Sequence, residues 1–415
     1  MSAPRVISLG CRLNAFESEL MREHSVQSGT QDVVIINTCT VTAEAERRSR
    51  QTVRKACRDN ADAEIVVTGC AAQLDPQGFA AISGVARVVG NAEKLEPETF
   101  KIGDHPEIDV ADIMTVRETA PHLIDGFDGR ARVFIQIQQG CDHRCTFCII
   151  PFARGPNRSV PMGAIADQIR KLVETGFCEV VLTGVDIASY GADLPGNPSL
   201  GDLVRRLLAA VPELKRLRLS SIDPAVMDEA LFAVLAEEDR LMPHIHLSLQ
   251  AMDDMVLKRM KRRHSVKDAI AFAERARQAR PDVVFGADLI AGFPTESDEM
   301  FTATLNAVED LGVTHYHVFP YSERPGTPAA SMPVVEKAVR KNRAEALRTL
   351  GAQALKEFLE SCIGKSALVL VERNGTGFSE HYASVHIDTD VEPGTIVNVK
   401  INKTDGEKLF ASPAA

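Results

Sequence analysis

The chain has 415 residues, 45% hydrophobic and 25% charged, enough to bury an ordinary core and to build two or three domains. No apolar run approaches bilayer length, and the opening MSAPRVISLGC lacks the basic stretch and apolar run of a secretory leader, so the expected location is cytoplasmic, with no membrane as partner. A net charge of -10 argues against a nucleic acid gripped by the whole surface and leaves only a local basic patch, while nine cysteines in a reducing compartment point away from disulfides and towards metal or redox chemistry.

In chain order, short runs rich in Val and Ile at residues 6–9, 33–39, 64–70 and 85–91 end in small or polar residues, with helical patterns between them. They predict an α/β domain with a parallel sheet. Ligands of such sheets sit beyond the carboxyl ends of the strands, and Cys11, Cys39 and Cys70 each follow or close a run at that edge. From the residues alone they are either a metal site assembled by the fold or scattered core thiols, since free cysteine is among the most buried residue types. Arg47, Arg50, Arg54 and Arg58 recur at three- and four-residue spacing on one helix face, with Arg48 and Lys55 nearby, which suits either a solvated face or a grip on phosphates. Residues 101–130 are polar with little periodicity and read as a linker.

From Arg132 onwards, strand-like runs at 133–138, 180–185, 217–222, 244–250, 283–290 and 314–320 alternate with helical patterns such as 163–175 and 298–311. Repeated strand-helix units give a parallel sheet, and six are too few for an eight-stranded barrel, so an open partial (β/α)6 barrel is expected. Directly after the first strand comes GCDHRCTFC, placing Cys141, Cys145 and Cys148 at spacings of four and three. Three such thiolates suit three corners of a 4Fe-4S cube whose fourth iron stays open to a substrate; the alternative is a structural zinc site completed by His143. Lys258, Arg259, Lys261, Arg262 and Arg263 form a second basic run, and His317 and Tyr321 lie near the last strand, where they could face substrate. Residues 333–363 predict one long helix. Runs at 367–372, 382–387 and 395–401 around Asn-Gly and Asp-Gly turns then predict a small antiparallel β-barrel. Cys57, Cys178 and Cys362 match no cluster motif and read as core or incidental thiols.

LGCRLNAFESE from Leu9, INTCTVTAEAERRSRQ from Ile36, VTGCAAQ from Val67, GCDHRCTFCIIPFARGPNRS from Gly140, HLSLQAMDDMVLKRMKRRH from His246 and FPYSERPGTPAA from Phe319 together resemble the radical S-adenosylmethionine (SAM) methylthiotransferases over nearly the whole chain. The resemblance implies an N-terminal domain at 1–103, a radical SAM core at 127–357 and a TRAM-like RNA-binding barrel at 358–415. It implies two 4Fe-4S clusters, an auxiliary one on Cys11, Cys39 and Cys70 and a SAM-binding one on Cys141, Cys145 and Cys148, with SAM as both methyl donor and radical source. Thr183, Gly184, Ser220, Ser221 and Gln250, at barrel strand ends, are then the expected SAM contacts. In the barrel at the end of the chain, Lys365, Arg373, Lys400, Lys403 and Lys408 suit phosphates, diluted by Asp388, Asp390 and Glu392.

The implied reaction adds a methylthio group to a tRNA adenosine just 3′ of the anticodon, in the subgroup acting on threonylcarbamoyladenosine. The alternatives are isopentenyladenosine tRNA, a ribosomal protein aspartate, or a non-enzymatic RNA-binding protein holding zinc or a structural cluster. The expected partners are tRNA, an electron donor such as flavodoxin or ferredoxin, and a sulfur source. One stretch departs from the family pattern: residues 24–32 look too short and polar for the usual strand and turn, which leaves the edge of the first sheet open.

Overall fold

A computed structural model describes residues 3–101, 103–117 and 131–414. The first sheet contains β1 (Arg5–Ser8), β2 (Val33–Thr38), β3 (Glu64–Gly69), β4 (Arg87–Val89) and β5 (Ile108–Asp109), parallel throughout and in sequential order. Every residue of β2 is buried, as expected of a parallel strand covered on both faces. Helix α1 (Arg12–Gln27) leads through a short turn directly into β2, and β1 pairs with β2 from Arg5 opposite Val34 to Ser8 opposite Asn37. The brief stretch before Cys39 therefore leaves the sheet edge intact. β5 lies within the stretch expected to be linker: Val89 pairs with Asp109, extending the sheet past residue 103, while residues 118–130 lie outside the described residues.

The second unit starts with β6 (Arg132–Gln136), followed by the short antiparallel pair β7 (Gln138–Gln139) and β8 (Arg158–Ser159) that brackets the cysteine loop. Then come β9 (Glu179–Thr183), β10 (Arg216–Leu219), β11 (His244–Gln250), β12 (Val284–Ala291) and β13 (Val313–Pro320). Sheets β10-β9-β6 and β11-β12-β13 are joined by the parallel bridges Leu217–Leu241 and Ile222–Leu247, and β6 does not pair with β13. The result is the open six-stranded parallel barrel. Its helices carry clear start and stop signals. Val266–Ala279 opens with a capping box between Ser265 and Asp268 and buries Ala269, Phe272, Ala273 and Ala276, the spacing of one helix face. Asp298–Leu311 begins at the Ser297 cap and ends at left-handed Gly312. The long helix is Lys337–Ser361.

The last unit is a closed barrel of β14 (Ser366–Val371), β15 (Thr376–Phe378), β16 (Ser384–Ile387), β17 (Ile396–Thr404) and β18 (Leu409–Pro413), ordered β14-β15-β16-β18-β17. Its pairings are antiparallel except β16 with β18, which run parallel. This barrel packs on the amino ends of the six strands. Arg132 bonds Glu372 at 2.8 Å, Arg216 donates to the Leu368 carbonyl at 2.7 Å, and Arg218 donates to the Ser379 carbonyl at 2.7 Å. Tyr382, at φ +68, stacks on His244 at 5.0 Å and sits against the Arg132 and Arg218 guanidiniums at 5.1 Å. It plugs the amino end of the partial barrel, which is why the strand expected from 382 begins at Ser384.

Candidate metal centres

Cys11 caps α1 after β1, Cys39 follows β2, and Cys70 opens α3 (Cys70–Leu74) after β3, so three adjacent parallel strands deliver three thiols to one sheet edge. Two glycines permit the approach. A Cβ on Gly10 (φ +96) would lie 2.7 Å from both Cβ and Sγ of Cys39, and one on Gly69 (φ +96) would lie 2.4 Å from the Thr38 backbone. The Cys70 thiol couples electrostatically to Cys11 and to Cys39. Burial pushes the Cys39 thiol up to about 11, so without a metal it is protonated at neutral pH, and metal binding would displace the proton.

The second triplet lies in the loop after β7. The Gln138 side chain fixes this loop to the end of β9: its Oε1 accepts from the amides of Val185 (2.9 Å) and Asp186 (2.8 Å), and its Nε2 donates to the Gly140 carbonyl at 2.7 Å. Burial, then the Asp186 carboxylate, push the Cys141 thiol up to about 12, and burial pushes Cys148 up to about 11. Arg262 reaches Cys145 Sγ at 3.5 Å. Arg262, Arg263 and His264 converge on Asp223 at 3.2, 2.9 and 3.2 Å. Burial alone would raise the Asp223 carboxyl, but these partners hold it well below the usual carboxylate range. The second basic run is therefore split: Lys258 and Lys261 face solvent, Arg259 donates to the Thr295 carbonyl, Arg262 reaches the cysteine loop, and Arg263 pairs with Asp186 and Asp223 beside it.

The spacing of donors separates a cluster from a zinc ion. Among the described residues, the one set of three His, Cys, Asp or Glu side chains whose ligand atoms all lie within 4.8 Å of one another is His246, Asp288 and His317. Thiolates around a single tetrahedral zinc sit about 3.8 Å apart, given Zn–S bonds of about 2.3 Å. Neither cysteine triplet, with or without His143, is that tight, whereas a four-iron cube holds its cysteine sulfurs further apart. Three thiols in each triplet supply the donor set for three corners of such a cube.

Arg154 joins the two sites. It ends the helix Ile150–Arg154 that follows Cys148, it is 2% exposed, and its Nε donates to Cys70 Sγ at 3.0 Å. Its Nη2 donates to Asn14 Oδ1 at 2.5 Å, and its guanidinium pairs with Glu17. Glu17 also holds Lys94 at 2.7 Å, and the side chains of both are fully buried. Burial would raise the Glu17 carboxyl, yet Arg154 and Lys94 bring it down to about 2. The next residue, Gly155, accepts the Cys141 amide at 3.0 Å, so one backbone step separates the anchors of the two triplets. Sequence reasoning missed this group; the only available signal was a cation six positions after Cys148 in CIIPFARG.

The expected SAM contacts lie at the carboxyl edge of the barrel. Thr183 ends β9, Gly184 follows it, Ser220 and Ser221 follow β10, and Gln250 (φ +66) ends β11. Gly184 has no room for a side chain: a Cβ there would lie 2.7 Å from Gln138 Oε1. Ser221 Oγ donates to Asp288 Oδ2 at 3.3 Å, and Asp288 Oδ1 lies 3.1 Å from His246 and 3.4 Å from His317. Side chains from four strand regions thus meet on the concave face, and His317 belongs to this group. Tyr321 does not: it is 4% exposed and packs edge-on against Phe293. Cys57 sits under Gly84 and Cys362 packs in the C-terminal barrel core, both away from the triplets. Cys178, at the start of the β9 turn, donates to the Gly176 carbonyl.

An open six-stranded parallel barrel with a three-cysteine loop after its first strand defines the radical SAM class of enzyme. The sequence profile of the Radical SAM superfamily matches residues 135–308, and that of the Uncharacterized protein family UPF0004 matches residues 4–90. The chain is 49% identical over 396 residues to the Threonylcarbamoyladenosine tRNA methylthiotransferase MtaB of Rickettsia prowazekii (strain Madrid E), covering 95% of this chain and 94% of that protein. It is 35% identical to the protein of the same name from Aquifex aeolicus (strain VF5), covering 95% and 98%. It is 33% identical to a tRNA-2-methylthio-N(6)-dimethylallyladenosine synthase of Novosphingobium aromaticivorans, covering 96% and 94%. Among solved structures, the radical S-adenosylmethionine methyltransferase TsrM from Kitasatospora setae shares the fold, with a TM-score of 0.60 at 16% identity over 91% of this chain and 80% of that one. The chain belongs to the radical SAM methylthiotransferases, a family of tRNA-modifying enzymes that use SAM and 4Fe-4S clusters.

Proposed function

We propose that this enzyme transfers a methylthio group to C2 of N6-threonylcarbamoyladenosine beside the anticodon of tRNA, with Cys141, Cys145 and Cys148 holding the SAM-binding cluster and Cys11, Cys39 and Cys70 the auxiliary one. The observation that carries the two-centre reading is the Arg154–Gly155 step, which sets the two triplets against each other across a buried polar network. When bound, these groups supply a radical able to activate an unreactive carbon-hydrogen bond and the methylthio group that replaces the hydrogen. The chain's own residues position and shield. Gln138 fixes the cysteine loop against β9, Arg262, held by Asp223 beyond β10, braces it from the helix that follows β11, and Tyr382 closes the amino end of the barrel against water. Thr183, Gly184, Ser220, Ser221 and Gln250 are the strand-end contacts for SAM. No side chain is assigned acid-base work, since such a bond lies beyond proton transfer by side chains.

The acceptor is assigned from the 49% identity to the Rickettsia protein, set against 33% to the Novosphingobium synthase. A cytoplasmic location, an electron donor such as flavodoxin or ferredoxin, and a sulfur source complete the proposal. The test is mass spectrometry of nucleosides from tRNA of a host lacking the activity, with and without this chain expressed. Gain of a methylthio group on threonylcarbamoyladenosine supports the reading. Gain on isopentenyladenosine moves the acceptor, and an unchanged nucleoside profile defeats the tRNA assignment.

A further inference from the structure

A cavity of about 950 Å³ opens between α2 (Ala43–Asp59), residues 320–325 beyond β13, and the first turns of Lys337–Ser361. Seven Lys or Arg side chains line it against two glutamates in a chain whose net charge is -10; Arg47, Arg50 and Arg348 also pair with Glu44, Asp75 and Glu345 just outside the wall. Both glutamates are already engaged: Glu46 by Arg50 and Arg324, and Glu323 by Arg340 at 3.4 Å. Lys337 and Lys341 lie four residues apart on one face of the long helix, are exposed, and make no ion pair among the described residues. The exposed Arg54, Lys55 and Arg58 extend the positive surface along α2, again without ion pairs among the described residues.

The position of the cavity matters as much as its charge. Arg324 in its wall bonds Thr40, the residue after Cys39, and Pro320 in the same wall ends β13. The cavity therefore lies beside both the sheet edge that carries the first triplet and the carboxyl mouth of the barrel. We infer that it is the docking groove for the sugar-phosphate backbone of the RNA substrate, with Lys337 and Lys341 as phosphate contacts that bring the anticodon loop to the strand ends. This rests on the tRNA reading above and deepens it, because the C-terminal barrel, the expected RNA module, carries its cations among Asp388, Asp390 and Glu392 and uses its 379–382 loop to plug the core barrel.

The test measures binding of a synthetic anticodon stem-loop RNA to the cluster-loaded enzyme across a salt series. Each phosphate contact contributes about 0.7–0.9 to the slope of log K against log salt, so Lys337→Gln/Lys341→Gln is expected to lower that slope by about 1.5 and weaken binding about tenfold at ~0.1 M salt. The paired Lys365→Gln/Lys400→Gln variant on the C-terminal barrel is expected to change both much less. Unchanged visible absorbance and RNA-independent SAM cleavage report that the groove variant is folded. A groove variant that binds like wild type overturns the inference while the tRNA reading stands. A wild-type enzyme that binds no stem-loop overturns both.

Discussion

Replacing Arg154 by Met keeps much of the volume and removes the buried charge that touches Cys70 of the first triplet, one residue before the Gly155 carbonyl that anchors the second. Three of its polar partners, Asn14, Glu17 and Cys70, are buried or lose their donor, and Glu17 retains only Lys94 at 2.7 Å as a counterion. Breaking a buried pair by deleting one partner costs about 3–5 kcal/mol. Because Lys94 remains to neutralise Glu17, the lower end applies, about 3 kcal/mol. At roughly 2–4 °C per kcal/mol for a unit of 150–250 residues, the melting temperature of the anaerobic protein is expected to fall by about 6–12 °C. Glu17→Gln leaves two buried cations and is expected to cost at least as much. The double variant is expected to lose about 1–3 kcal/mol less than the sum, because the second substitution removes the charge that the first leaves buried without its partner. Denaturation of the four proteins, with iron counted in each, closes the cycle. An Arg154→Met protein within about 1 kcal/mol of wild type, or strict additivity, refutes the argument that this network holds the two sites together.

Gly184→Ala forces a Cβ to within 2.7 Å of Gln138 Oε1, so it should cost about 1–3 kcal/mol and weaken SAM binding, measured by calorimetry, as Gln138 releases the cysteine loop. His315, half-buried beside His246, His317, Arg218 and the Tyr382 loop, is brought down to about 4, chiefly because of desolvation. The unfolded chain therefore binds the extra proton first, and stability should decline as the pH falls from about 6.5 to about 4, by up to about 3 kcal/mol from this residue. His244 acts in the same direction. Melting curves over that range should flatten in His315→Gln, and an unchanged pH dependence would count against the assignment.

What was readable in the sequence was what repeats locally. Parallel strands buried on both faces announce themselves as Val and Ile runs ending in small or polar residues, so β2, β3 and the sheet edge carrying Cys39 and Cys70 are legible in the sequence. The six barrel strands were visible as short apolar runs between helical patterns, down to β11 at His244–Gln250 and the helix Asp298–Leu311. What could not be read depends on contacts between distant residues. Glu17 and Lys94 look like ordinary surface charges until the fold buries them 77 positions apart around Arg154. β5 is two residues long and gains its identity only from pairing with β4. The arginine face of α2 was read correctly as a helix face, but Arg50 is tied to Glu46 and Asp75 and lies over the Phe79 ring, and the free cations that matter, Lys337 and Lys341, come from a helix almost 300 positions later.

The central claim is that two cysteine sites in one chain do separate work, and the most direct measurement is paired quantification of deoxyadenosine and methylthiolated tRNA from Cys145→Ala and Cys39→Ala enzymes. Cys145→Ala should form neither product, whereas Cys39→Ala should still cleave SAM to deoxyadenosine and form no methylthiolated nucleoside. Normal methylthio transfer by Cys39→Ala, or SAM cleavage by Cys145→Ala, would contradict the division of labour.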